Sequence, residues 1–322
     1  MKKRFSEFLR IGISLFFIFV AAYFLRDKWH HSIAILKQAN WYIFSIACIL
    51  LGLVNIIVAY RFYRILQVQT IQLPFHRVLY LSFVGLFFNL FLPSALGGDV
   101  VKAYYISKES GLKLKSVASI VADRLLGLGA TVLVALLALP WFIQQYSDSK
   151  VGTFVLLIAA GFGGFILLFL NESLAKKFKF LTQLIPTQVG KRKISEFYYM
   201  LANYRHHPII MGYCLILSLA VQGFVILVGF LTAQSLGVHI PFMIFLIVLP
   251  MASIAAMFPS VGGLGVREAS LIYFLSRYSS VSEATAFALA YDILIYGFGS
   301  FCGILYLLFH GTISIKEVEI ND

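Results

Sequence analysis

Apolar residues gather into eight long runs, at about 8–25, 41–60, 78–98, 125–146, 151–170, 208–236, 238–266 and 284–310, with polar stretches between them. Crossing the hydrocarbon core of a bilayer takes ~20 helical residues. The pattern therefore predicts an all-α integral membrane protein, a single polytopic domain over residues 1–322. Two of the runs are interrupted. The third contains Leu92-Pro93-Ser94-Ala95-Leu96-Gly97-Gly98-Asp99-Val100-Val101-Lys102 and the seventh contains Phe258-Pro259-Ser260-Val261-Gly262-Gly263-Leu264-Gly265-Val266-Arg267-Glu268. Allowing a gap of one residue, both read Pro-Ser, Gly-Gly, two residues, Val and a basic side chain. Broken backbone at membrane depth survives only under cover of protein or a water-filled cavity, since each unpaired N–H or C=O in lipid costs several kcal/mol. Paired interruptions in two halves of a chain point to a binding site between repeats. The backbone breaks at Pro93, Ser94, Gly97, Gly98, Pro259, Ser260, Gly262, Gly263 and Gly265 are the expected lining of that cavity.

The basic residues choose between threadings. Cytoplasmic loops collect Lys and Arg, yet eight plain crossings with the N-terminus inside place most of them outside. If the two broken segments instead enter and leave on one face, with continuations near 99–124 and 264–280, most of the basic residues fall on the cytoplasmic side, in the N-terminus and the loops 61–77, 99–124 and 171–207. This predicts six full transmembrane helices plus two re-entrant broken-helix hairpins in an inverted repeat, with pseudo-repeats of about 1–150 and 151–322. Trp29, Trp41 and Trp141 then lie near the outer interface, where Trp is favoured. Eight full crossings with the N-terminus outside are the competing arrangement.

Composition agrees with a membrane solvent: 60% of residues are hydrophobic, 12% are charged and 31 are Phe. The net charge of +12 sits in loops between apolar runs, which argues against a nucleic-acid partner. Cys48, Cys214 and Cys302 lie inside apolar runs and read as small buried hydrophobes. The basic Lys2-Lys3-Arg4 and the apolar stretch after it imitate a signal peptide but lack its small-residue cleavage site, so an uncleaved first span is expected. The polar segment from Asn171 to His207 holds seven Lys and Arg residues. It reads as an ordinary positive-inside loop, with a surface helix drawn to anionic lipid as the alternative.

Charged residues beside the breaks are the candidate substrate contacts, because ions at membrane depth normally face a cavity or a partner. Asp99 and Lys102, three apart, share a helical face, as a polar wall for a headgroup or as a self-satisfied ion pair. A helix restarting after Gly97 and Gly98 offers N–H groups to an anion such as phosphate. The same holds after Gly262, Gly263 and Gly265, where Arg267 offers a phosphate clamp and Glu268 a partner for a headgroup amine or for a neighbouring Arg. Asp123 and Arg124 point about 100° apart on a helix, and Arg124 either snorkels to the interface or faces the cavity. Arg61 and Arg64 read as topology anchors. Asp292, inside the last run, is a proton-coupling or cavity residue, or an acid that joins helices with Tyr291 or Tyr296 nearby.

Other motifs are thin. His30-His31 and His206-His207 lack the carboxylate or Cys spacing of a metal site, so no metal and no cofactor are expected. Gly161, Gly163 and Gly164 read as helix-packing glycines, and no nucleotide loop or nucleophile elbow appears.

The two motifs, with Ala122-Asp123-Arg124-Leu125-Leu126-Gly127 between them and Arg61-Phe62-Tyr63-Arg64 after the second run, resemble the flippase-like membrane domain of bacterial lysylphosphatidylglycerol synthases. The resemblance implies a multi-pass inner-membrane protein, and the distribution of basic residues places its N-terminus in the cytoplasm. It also implies that the protein moves a phospholipid or lipid-linked headgroup between leaflets, the cargo differing among relatives. No soluble aminoacyl-transferase domain follows the last run, so lipid synthesis is not expected of this chain. The alternatives are a membrane-embedded transferase on a lipid-linked substrate, for which Asp99, Asp123 and Asp292 are the available acids, or a non-catalytic partner of a separate lipid synthase. Expected partners are membrane lipids, with a lipid-synthesis enzyme or a second copy of the chain as further possibilities.

Overall fold

A computed structural model describes residues 29–91, 97–146, 149–170, 188–257 and 265–310. The first apolar run and Pro93, Ser94, Pro259, Ser260, Gly262 and Gly263 fall outside these residues. Within them the chain forms helices and no strand: α1 (Trp29–Lys37), α2 (Trp41–Val68), α3 (Phe75–Phe91), α4 (Gly97–Ser110), α5 (Lys113–Tyr146), α6 (Ser149–Leu170), α7 (Gln188–Ala202), a 3-10 turn (Asn203–His206), α8 (Pro208–Ser235), α9 (Phe242–Ala255), α10 (Val266–Leu275) and α11 (Val281–His310).

Four of these, α2, α5, α8 and α11, are long and apolar enough to cross a membrane, and shorter apolar helices lie in α3, α6 and α9. Large apolar side chains remain exposed on the long helices, with Ile49 73% exposed, Leu137 78% and Ile209 88%. In water such surfaces would associate; helices apolar all round belong in lipid. The protein is a multi-pass membrane protein. The helices also outrun the hydrocarbon: α5 has 34 residues, ~51 Å at 1.5 Å per residue. Stretches expected as loops are therefore partly helical. α2 continues to Val68, and 99–124 is the body of α4, a turn at Gly111 (φ 71°) and the start of α5. The positive φ suits glycine, which has no Cβ to clash. The basic segment before His207 contains α7 and the 3-10 turn.

The chain divides into two compact units. The first comprises 1–56, 79–102 and 223–322. In it α9, α10 and α11 pack in succession and α1 rests on α11, with the Ser32 hydroxyl donating to the Ser282 carbonyl at 3.0 Å. Small residues let α3 approach α11: Leu90 sits over Gly299 and the Phe87 ring over Gly303, with Phe87 also stacked on Tyr306 at 6.2 Å. Such small-residue contacts are what hold helices together in lipid, which gives no hydrophobic drive for their association.

The second unit comprises 57–78 and 103–222. Here α5 packs against α6 and α7. Its core joins Ile65 and Val68 of α2, Ala118 and Ala122 of α5, Leu201 and Tyr204 around the 3-10 turn, and Cys214 of α8. The Tyr204 hydroxyl donates to Ser119 Oγ at 3.1 Å. Burial pushes its pKa up to about 12, since the phenolate would lie away from water.

Candidate functional site

The helix that restarts after the first break begins by packing very tightly. A Cβ added at Gly98 would lie 1.9 Å from the Gly85 carbonyl oxygen of α3, so only glycine allows the two backbones to meet there. The Gly98 N–H donates to Asn89 Oδ1 at 2.7 Å, so a side chain of α3 already satisfies this helix-terminal donor. Asp99 and Lys102, one turn on, are both 8% exposed, whereas Val100 between them is 62% exposed. Three-residue spacing turns the two charges to one interior face, and the aliphatic stem of Lys102 lies over Gly85. Neither Gly85 nor Asn89 belongs to the broken motif itself. The signal for Asn89 is an amide inside an apolar run, which at membrane depth needs a partner.

The second restart, in the same unit, is polar in a different way. Gly265 has φ 85°, a conformation suited to glycine. Its N–H donates to Glu268 Oε2, the half of a capping box in which the acid reaches back to the helix start. This donor, too, is met within the chain. Arg267 is 9% exposed, and one guanidinium nitrogen donates to Glu268 Oε1 at 3.1 Å and to Asp292 Oδ1 of α11. Its guanidinium carbon stands 5.3 Å from the centre of the Tyr296 ring, within cation–π range. Among the described residues Arg267 Nε has no hydrogen-bond partner. One cation thus faces two carboxylates, leaving an excess negative charge when both acids are ionised. Residues 25 positions apart are brought together by the packing of α10 on α11.

Asp123 and Arg124 belong to the second unit and part company there. Asp123, 7% exposed, accepts from Arg61 Nε at 2.8 Å, and another Arg61 nitrogen donates to Ser218 Oγ at 2.8 Å. The Ser218 hydroxyl in turn donates to the Cys214 carbonyl at 2.7 Å. Gly127, one turn after Asp123, leaves room beside this guanidinium, whose nitrogens would stand 3.7 Å from a Cβ there. Arg124 is exposed. Arg61 is 5% exposed and is not an interfacial anchor: its position in α2 faces α5 and α8, where an acid and a hydroxyl await it. The periodicity of an apolar run does not reveal such a pairing, because partner and pair lie 62 residues apart.

One smaller expectation is also corrected. Cys48 is exposed, while Cys214 and Cys302 are buried, since Cys48 lies on an outward face of α2. Among the described residues nothing stands within 4 Å of a Cβ added at Gly161, Gly163 or Gly164. Among the described residues no group of His, Cys, Asp and Glu is arranged to hold a metal ion.

No curated protein gives a significant match to this chain. A model of one protein family, described as "Lysylphosphatidylglycerol synthase TM region", matches residues 8–303, nearly the full length, and takes in both broken motifs and every charged residue placed above. This polytopic helical chain therefore belongs to the lysylphosphatidylglycerol synthase TM region family.

Proposed function

We propose that this protein moves a phospholipid or lipid-linked headgroup between the leaflets of the inner (cytoplasmic) membrane, as a flippase or scramblase. The observation that carries the reading is the placement of buried charge at both helix restarts, with Asp99 and Lys102 on α4 and Arg267 with Glu268 and Asp292 on α10 and α11. Charges in lipid are costly, ~2.5–3.5 kcal/mol each at a helix centre, and persist where they serve a pathway or a partner. Membership in a family described by the transmembrane region of a lipid synthase supports a lipid as the ligand. The headgroup fits these groups by chemistry: its phosphate suits Lys102 and Arg267, and an amine can donate to the carboxyl oxygens of Glu268 and Asp292. Asp123, held by Arg61, and the exposed Arg124, both in the second unit, are further candidate headgroup contacts.

In this proposal the two broken segments are re-entrant hairpins in an inverted repeat of about 1–150 and 151–322, beside six full crossings and with a cytoplasmic N-terminus. Alternating exposure of the site between them transfers the headgroup. The test is reconstitution of the purified protein into liposomes carrying fluorescent phospholipids, with the dithionite-accessible fraction measured against protein-free vesicles. Transfer is expected with the wild type and loss of it in Lys102→Gln and Arg267→Gln. Equal accessibility with and without protein across several headgroups overturns the proposal.

A further inference from the structure

The second unit contains an apolar cavity of about 570 Å³, walled by α5, α6, the end of α7, the 3-10 turn and α8. Leu125 and Leu126 of α5, Phe162 of α6 and Met211 and Leu215 of α8 give it a hydrocarbon lining, and among the described residues Arg205 is the one charged residue that lines it. Arg205 is fixed in place: its Nε donates to the Ala202 carbonyl at 3.3 Å. Tyr204 contributes only its ring, because its hydroxyl is turned away to Ser119.

Sequence position sets the depth of each part. Arg205, His206 and His207 precede Pro208, where the apolar helix α8 begins, so Arg205 stands at the level where polar residues give way to hydrocarbon. From Pro208 to Leu215 the lining descends α8 by ~10 Å. A guanidinium at the polar end of an apolar slot matches one ligand chemistry, an anionic headgroup above an acyl chain. A soluble metabolite would leave the slot unfilled, and in a zwitterionic lipid the headgroup cation offsets part of what the phosphate gains at Arg205. The volume lies in the range of pockets that bury most of a small ligand.

We propose that this cavity is a binding site for an anionic phospholipid, one acyl chain lying between α5, α6 and α8 and the phosphate against Arg205. It is a resident site within the second unit and does not depend on the translocation reading, which rests on charges of the first unit.

The test uses the full chain in phosphatidylcholine vesicles containing a trace of phosphatidylglycerol with a diazirine in its acyl chain, or the same probe on phosphatidylcholine. After illumination the labelled peptides are mapped by mass spectrometry. Label is expected on residues 125–129 and 211–215, favouring the phosphatidylglycerol probe by about five-fold, the scale of one basic contact at a membrane surface. Arg205→Gln should equalise the two probes, while Arg205→Lys should keep the preference. Gly129→Leu should abolish label in these peptides with either probe, because a Cβ there already stands 3.4 Å from Phe162 and a longer side chain enters the slot. Each variant is checked for a monodisperse elution profile first. Equal labelling by both probes in the wild type overturns the anionic assignment, and absence of label from both peptides overturns the acyl-chain site itself.

Discussion

Asp123→Asn isolates a guanidinium that has few alternatives. Arg61 is buried, and its side-chain partners among the described residues are Asp123 at 2.8 Å and Ser218 at 2.8 Å. The amide keeps the volume of the carboxylate and can still accept one hydrogen bond, so what the substitution removes is charge. In soluble proteins, stripping one partner from a buried pair costs about 3–5 kcal/mol, and a lone Arg at the centre of a membrane helix costs about 2.5–3.5 kcal/mol on insertion scales. Ser218 and the remaining amide soften the loss, which leaves roughly 3 kcal/mol. The double variant Arg61→Met with Asp123→Leu should recover most of it, because a buried pair gains little over apolar groups of similar shape. The assay is the midpoint of thermal loss of the monodisperse peak in detergent, at one heating rate because unfolding is irreversible. At about 2–4 °C per kcal/mol for domains somewhat smaller than this one, Asp123→Asn should fall by roughly 6–12 °C. A midpoint within about a degree of the wild type, or a double variant no better than the single, refutes the reasoning that these charges depend on each other.

The remaining predictions concern other parts of the molecule. Gly98→Ala should damage folding more than Gly303→Ala, although both create a contact under 2.5 Å. At Gly98 the obstacle is the Gly85 backbone, while at Gly303 it is the Phe87 ring, which can turn aside. Comparable yields of folded protein from the two would refute this. Asn89→Leu should lower the thermal midpoint by a few degrees, as loss of a cap costs about 0.5–2 kcal/mol; an unchanged midpoint means the Gly98 N–H finds another acceptor. Burial holds the Tyr204 pKa near about 12, above the ordinary value of about 10. The unfolded chain therefore gives up its proton first, and stability present below pH ~10 is lost as the pH rises toward ~12. Between pH 8 and 11 the midpoint should drop less in Tyr204→Phe than in the wild type, and equal drops would remove the basis for that shift.

The membrane character of the chain was legible because lipid imposes a local condition on sequence. Every backbone group must be paired within its own helix, so spans appear as runs of apolar residues long enough to cross, as at Trp41–Val68 and Pro208–Ser235. The helix restarts at Gly97 and Val266 were likewise signalled locally, by Pro and Gly within such runs. Helix length past the bilayer was less visible: the charged early turns of α5 look like a loop when judged by hydropathy, yet they pack as a helix on α7.

The partners of the charges were decided only by tertiary structure. Arg61 looked like an interfacial anchor and is a buried partner of Asp123, and Arg267 shares its charge between a neighbour and Asp292 on the next helix. Hydropathy and spacing describe which groups an element carries and which face they share, since those depend on the 3.6-residue repeat alone. They are silent on which face of another helix comes to meet them, because that follows from how small residues such as Gly85, Gly98 and Gly299 let backbones approach. The one-dimensional chain thus determined its solvent and its interruptions, and three-dimensional packing determined which charge neutralises which.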